Sequence, residues 1–230
     1  MSGPPQIKDG IKIPQESDLP SKSHRLNDSL AIDFLLLTVK PCEFSSCFYY
    51  LQNPKRYYSK DLGYVDIGQM GDDDDEEKEE NKKLSVALMK CDMGSSVGGS
   101  AIVVKNAVST LRPKGVFCVG FCGGLNASKA KLGDVVVSSK LVAYAPVKVT
   151  EDGLQRRGTI VPLSKHLNDI MRYAGHGWKP PLKDSEQAGK VVPGVMLSGP
   201  QLVNDVTERN ALLKDYPDAI AIEMEGEGKL

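Results

Sequence analysis

The stretch Ala101-Ile-Val-Val-Lys-Asn-Ala-Val-Ser-Thr-Leu111, followed by Arg112-Pro113-Lys114 and Gly115-Val-Phe-Cys-Val119, decides the reading of the fold. Apolar positions in its first part suit a helix packed on a sheet, and Pro113 ends that helix because proline cannot continue the hydrogen-bond ladder. The short apolar run from Gly115 that follows predicts a buried strand. Upstream, Met93 to Ser100 is a glycine-rich turn. Leu84 to Met89 and Tyr64 to Ile67 carry further strand patterns. Ala31-Ile-Asp-Phe-Leu-Leu-Leu-Thr-Val39, bounded by Pro41, is continuous enough to predict a strand buried on both faces, followed by a helix from Cys42 to Leu51.

Downstream, Asp134 to Ser138 and Leu141 to Val149 continue the strand pattern, with Lys140 between them. Pro162, in a first helical turn, opens a helix to about Tyr173. Residues 175 to 193 read as a surface loop and Gly194 to Ser198 as a short strand. Thr207 to Tyr216 reads as a helix capped by Asp205 or Thr207, and Ala219 to Ile222 as a last strand. Such alternation predicts an α/β fold with helices on both faces of a sheet.

Composition narrows the classes. The chain has 230 residues, 29 basic against 30 acidic side chains, and 40% hydrophobic content, which suits a globular α/β protein. No apolar run approaches the roughly 20 residues that span a bilayer, and the amino-terminal residues show no secretory h-region, so a cytoplasmic protein without a membrane partner is expected. Near-neutral charge gives no footprint for nucleic acid. Residues 1–29, rich in Pro, Ser, Lys and Asp, predict a flexible lead-in to a domain spanning 30–230. Residues 72–80 hold eight acids and one lysine, which predicts a solvated hairpin loop. Cys42, Cys47, Cys91, Cys118 and Cys122 read mainly as free core thiols. Neither they nor His24, His166 and His176 have metal-ligand spacing, so no metal and no cofactor is expected.

Ligands of open α/β sheets bind beyond the carboxyl ends of strands, which directs attention to Gly120–Leu125, Ser198–Asn204 and Glu223–Gly228. Gly120, Gly123 and Gly124 permit close approach, although a structural turn explains them equally well, and their order matches neither a Rossmann fingerprint nor a Walker loop. Glu223-Met-Glu-Gly-Glu227 places three acids where a helix would begin. The helix dipole accounts for them, and so would a carboxylate accepting two hydrogen bonds from vicinal hydroxyls beside a methionine under a sugar ring.

Four segments together carry a resemblance: Val119-Gly-Phe-Cys-Gly-Gly-Leu125, Leu132-Gly-Asp-Val-Val-Val137, Leu197-Ser-Gly-Pro-Gln-Leu-Val-Asn204 and Ala221-Ile-Glu-Met-Glu225. In order and spacing the sequence resembles the purine nucleoside phosphorylase and methylthioadenosine/S-adenosylhomocysteine nucleosidase superfamily over residues 30–230, and is similar above all to nucleosidase-like domains of animals. The resemblance implies a three-layer sandwich around a central mixed β-sheet, a small-molecule purine nucleoside as partner, and a homo-oligomer. It implies that Glu225 binds the ribose 2′- and 3′-hydroxyls, with Glu223 in the same motif and Met224 packed on the sugar. Leu202 and Val203 would line the purine, where an aromatic is common at the first position. Phe121, Cys122 and Gly123 would lie against the substrate, Gly94 and Ser95 would approach the ribose and nucleophile, and Glu43 would orient an attacking water as the catalytic residue.

The departures shape the expected chemistry. Hexameric phosphorylases of this superfamily hold phosphate with an arginine and a serine at the positions of Cys118 and Phe121 here. Neither residue can replace that function, so water is favoured over phosphate as nucleophile. The superfamily pattern continues past the Glu-Met-Glu helix through one more strand to a Ser-Asp pair whose aspartate protonates the purine, and this sequence stops at Leu230. The expectation is therefore a fold lacking its last strand and helix, with N-glycosidic cleavage impaired in this form. The alternative is a noncatalytic nucleoside-sensing or assembly module.

Overall fold

The computed structural model describes residues 6–26, 30–71, 83–91, 99–151, 153–183 and 189–224. The expected acidic loop 72–80, and Gly94, Ser95 and Glu225, lie outside the described residues. The chain divides into two compact units, residues 12–121 and residues 1–11 with 122–230.

In the first unit the elements run β1 (His24–Arg25), β2 (Phe34–Thr38), α1 (Pro41–Tyr49), β3 (Gln52–Ser59), β4 (Gly63–Met70), β5 (Leu84–Lys90), α2 (Gly99–Leu111) and β6 (Gly115–Cys118). They form a six-stranded mixed sheet in the order β1-β3-β4-β5-β2-β6. β2 lies parallel to both β5 and β6, whereas β3, β4 and β5 run antiparallel in turn. The continuous apolar runs become the central strands because both their faces are covered. Leu35, Leu37, Ala87 and Met89 pack with Ala107 and Leu111 of α2, while Val86 and Leu88 pack with Phe44, Cys47, Phe48 and Leu51 around α1. Each such side chain contributes roughly 1.5–3 kcal/mol on leaving water. Helix, sheet and helix thus form three layers within this unit.

Two features depart from the expected organisation. Within the span expected to be a flexible lead-in, Glu16–Asp18 form a 3-10 turn and β1 pairs parallel with β3. β3 itself, Gln-Asn-Pro-Lys-Arg-Tyr-Tyr-Ser, carries no apolar alternation. It is held by pairing with β4, where Arg56 stands directly opposite Asp66 and donates to its carboxylate through Nε at 2.9 Å and Nη2 at 2.7 Å.

The second unit contains β7 (Gly123–Gly124), β8 (Val135–Ala143), β9 (Val147–Thr150), β10 (Gly153–Arg156), β11 (Ile160–Pro162), α3 (Lys165–Met171), β12 (Val191–Ser198), α4 (Val206–Asp215) and β13 (Ala219–Glu223). Its five-stranded sheet has the order β11-β8-β12-β13-β7, with β8, β12 and β13 parallel and β11 and β7 antiparallel at the edges. β9 and β10 form a separate hairpin. Leu212 of α4 packs with Val142, Tyr144, Leu197, Ala219 and Ile222.

Several boundaries are corrected here. Pro162 does not open a helix. It closes β11, opposite Lys140, and α3 starts at Lys165 behind the Ser164 cap, which accepts from Leu167 N. Lys140 interrupts nothing, since β8 runs through it with only an irregularity opposite Gly194/Val195. Residues 191–193, expected in a loop, begin β12. Asp205 is the cap of α4, its Oδ1 accepting from Glu208 N at 2.8 Å. Of the five cysteines, expected mainly in the core, only Cys47 and Cys91 are buried. Cys42, Cys118 and Cys122 are exposed, because their segments lie at element ends rather than inside them.

Candidate active site

In each unit the candidate residues gather at the carboxyl ends of parallel strands. In the first unit, β2, β5 and β6 end in register, Thr38 beside Lys90 and Leu37 beside Cys118. The chain leaving β2 turns directly into α1 through Lys40-Pro41, with proline at the start of the helix where its missing N–H costs nothing. Glu43 is then the third helical residue and reaches back. Its Oε2 accepts from Val39 N at 2.9 Å and Lys40 N at 2.8 Å, the glutamate half of a capping box, which fixes the rotamer. Its Oε1 accepts from Phe121 N at 3.2 Å. Gly120 is glycine for a reason of space: a Cβ there would stand 2.8 Å from Glu43 Oε1 and 3.2 Å from its Cδ. The Phe121 ring, 67% exposed, points away from the protein interior. Four residues on, burial and then the charge of Glu43 push the Cys47 thiol up to about 11, so it stays protonated and unreactive at neutral pH.

In the second unit, β8, β12 and β13 end together. Ser198 is the register partner of both Ala143 and Glu223, and Gly199 N donates to Glu223 O at 3.2 Å. Gly123 pairs with Ile222, which sets Cys122 beside the end of β13. Cys122 is exposed as a residue, yet crowding of its thiol and then the charge of Glu223 raise its pKa. Glu223 and Met224 are half-buried at this strand end. Ser198 is fully buried, and its Oγ makes no hydrogen bond among the described residues. Leu202, expected to line the purine, is 81% exposed, whereas Val203 packs against the core cluster beneath.

The loop that carries Leu202 and Val203 is set by residues whose roles the sequence did not disclose. Tyr144, inside the stretch whose pattern predicted a continuous strand, is fully buried, because the strand ends at Ala143 and the ring turns under the β12 loop. Its hydroxyl donates to Gln201 O at 3.2 Å, and a Cβ on Gly199 would lie 2.5 Å from its Cε1. Arg156 stands over the Tyr144 ring, 5.8 Å from the centroid, and donates to Tyr144 O, Glu208 and Asp215. Lys148 is exposed in β9. The Tyr144–Gly199 contact has no local signature, and the carboxylate partners of Arg156 lie more than fifty residues away in sequence.

Among the described residues no group of three or more His, Cys, Asp or Glu side chains is placed to hold a metal ion, and no helix is long and apolar enough to cross a membrane.

Mixed sheets flanked by helices, with carboxylates and glycines at the ends of parallel strands, define an α/β fold of the kind whose ligands bind beyond the carboxyl ends of the strands. The profile of the Phosphorylase superfamily matches residues 79–227, and the chain belongs to that family. A Death domain-containing ATP nucleosidase from Amphimedon queenslandica is 32% identical over 141 residues, 55% of this chain and 26% of that protein. A 5′-methylthioadenosine/S-adenosylhomocysteine nucleosidase from Desulfotalea psychrophila is 27% identical over 143 residues, 62% of this chain and 58% of that one. The chain therefore spans less than two thirds of the length of these relatives. The structure of a 5′-methylthioadenosine/S-adenosylhomocysteine nucleosidase from S. pneumoniae, with a transition-state inhibitor, matches the fold with a TM-score of 0.63 at 19% identity. That match covers 86% of this chain and 77% of the other.

Proposed function

We propose that this chain is a nucleoside-binding domain that cleaves the N-glycosidic bond of a purine nucleoside with water as the nucleophile. One observation carries the choice of water: the Glu43 carboxylate receives the Phe121 N–H. In this family phosphate would need cationic and hydroxyl donors at positions 118 and 121. Here those side chains are a thiol and a phenyl ring, the backbone donor is already engaged, and its partner carries negative charge, which repels phosphate.

The same geometry suits a water. Glu43 Oε2 is committed to two backbone N–H groups, while Oε1 takes a single, longer bond and keeps acceptor capacity. A water donating to Oε1 is oriented with a lone pair free to attack the anomeric carbon as the C–N bond breaks and charge of oxocarbenium type develops on the ribose. One water proton passes to the Glu43 carboxylate as the water oxygen bonds to the anomeric carbon, and the base departs with a proton taken from solvent on its ring nitrogen. Glu225 and Met224 supply the ribose contacts in this reading, and Val203, with Leu202, supplies the purine contacts. The death-domain relative and the bacterial nucleosidase, by their names, act on nucleosides or nucleotides, which supports the substrate class.

The test is chromatographic detection of free base from a panel of nucleosides including methylthioadenosine, with and without phosphate. Base release independent of phosphate is expected, and Glu43→Gln should lower it by about 10² to 10⁴. Phosphate-dependent formation of a sugar phosphate contradicts the assignment of water. Nucleoside-induced thermal stabilisation without any release establishes a sensing module instead.

A further inference from the structure

A cavity of about 840 Å³ opens in the first unit, away from every residue assigned above, between β1, the β3–β4 turn and the last turn of α2. Arg25, Lys60 and Arg112 line it together with the hydroxyls of Ser109 and Thr110, against one carboxylate, Asp61. The three cations are exposed, and among the described residues none of them makes an ion pair. Other cations of the described residues do form ion pairs, Arg56 with Asp66, Lys114 with Asp33, and Arg156 with Glu208 and Asp215. In a chain with 29 basic and 30 acidic side chains, gathering three unmatched cations around one hollow raises local repulsion that a bound anion would relieve.

Arg112 adds an independent sign. It has φ of 49°, in the left-handed region that a residue terminating a helix adopts and that favours glycine. Its N–H closes α2 onto Val108 O at 3.0 Å, so the conformation is fixed. Glycine would fill that backbone role with less strain, and what arginine adds is a guanidinium at the rim of the cavity. Guanidinium and ammonium groups beside hydroxyls recognise phosphoryl oxygens through charge-assisted hydrogen bonds.

We propose that this cavity is a binding site for a small phosphate-bearing anion, separate from the nucleoside site and independent of the cleavage chemistry. The probe is inorganic tripolyphosphate, titrated against the full chain at low ionic strength by calorimetry and by thermal unfolding. Saturable binding with a rise in Tm is expected, and sodium chloride at the same ionic strength should not reproduce it. Arg112→Gly should hold or raise the Tm of the free chain while weakening tripolyphosphate at least tenfold, and Arg25→Ser with Lys60→Ser should abolish its binding. Base release by these variants should be unchanged, so failure of this site and failure of the proposed reaction are read separately. Equal stabilisation by chloride, unaltered affinity in Arg112→Gly, or preference for a single-stranded oligonucleotide over tripolyphosphate overturns the proposal.

Discussion

In the six-stranded sheet, neighbouring strand residues are buried on opposite faces: Leu35 and Leu37 against α2, Val86 and Leu88 against α1. In the five-stranded sheet α4 contributes one buried residue, Leu212, and α3 contributes none, while Val135 and Ile160 remain exposed, as do Val147 and Val149 of the separate hairpin. The first unit is therefore held by apolar burial from two sides around a buried ion pair. The second depends more on close backbone approach and polar ties, Tyr144 under Gly199, Arg156 across to α4 and Asp134 between strands. The two should fail in different ways, by uncompensated charge or cavity in one and by crowding or lost ties in the other.

The largest effect expected on stability tests the first half of this contrast. Asp66 is 1% exposed and receives both donors of Arg56, whose side chain is itself mostly covered. Asp66→Asn leaves the guanidinium buried beside a neutral amide, a loss of about 3–5 kcal/mol, because the uncompensated charge, not the attraction alone, sets the cost. Urea unfolding followed by circular dichroism measures it. A loss under about 1 kcal/mol would show that Arg56 reaches water when its partner is removed, and that the pair is a surface feature.

A smaller effect tests the second half. Gly199→Ala pushes a methyl into the Tyr144 ring, which is buried on all sides and cannot step aside, at about 1–3 kcal/mol. Tyr144→Phe removes the hydroxyl that donates to Gln201 O, at about 0.5–1.5 kcal/mol. Trp178, the single tryptophan, lies in this unit, so its fluorescence follows unfolding there. If Tyr144→Phe proves the more damaging, the hydroxyl rather than the close packing sets the loop that carries Leu202 and Val203.

The contrast also explains what the sequence could disclose. Strands β2 and β5 were legible because two covered faces demand uninterrupted apolar residues, and α2 because Pro113 marks its end, whereas β6, expected to be buried, is a half-covered edge strand. β3 was not legible: its half-exposed residues show no period, and what holds it, the Arg56–Asp66 pairing, depends on a register that only the folded sheet creates. Helix α3 buries nothing, so apolar spacing could not fix its start, and Pro162 suggested a boundary three residues early. At the candidate site, Glu43 was found through its likeness to nucleosidases. That its carboxylate also caps α1 and receives Phe121 N depends on bringing residues 43 and 121 together. The burial of Tyr144 was not legible for the same reason, since burial of a residue just past a strand end is decided by the loop that closes over it.

The smallest expected effect concerns a tie with a pH signature. Asp134 begins the turn into β8, and its two oxygens accept from Lys131 N at 2.8 Å and Lys190 N at 2.9 Å, linking the entry of β8 to that of β12. Partial burial alone would raise this carboxyl. The two N–H donors, with the charges of Lys190 and Lys131, outweigh it and hold the group below the ordinary carboxylate range. The folded pKa is thus below the unfolded value of about 3.9, and as pH falls the unfolded chain takes up its proton first. The stabilisation is fully present above the unfolded pKa and is lost as pH falls through the folded one. Asp134→Asn should therefore be slightly less stable than the parent at pH 7, the gap narrowing through the acid range, and its partial exposure keeps that gap small. Urea midpoints of both chains from pH 7 to about 3 measure it. A gap that stays constant with pH would place the loss in the shape of the turn rather than in the charge, and would bring this part of the second unit closer to the packing-dominated first.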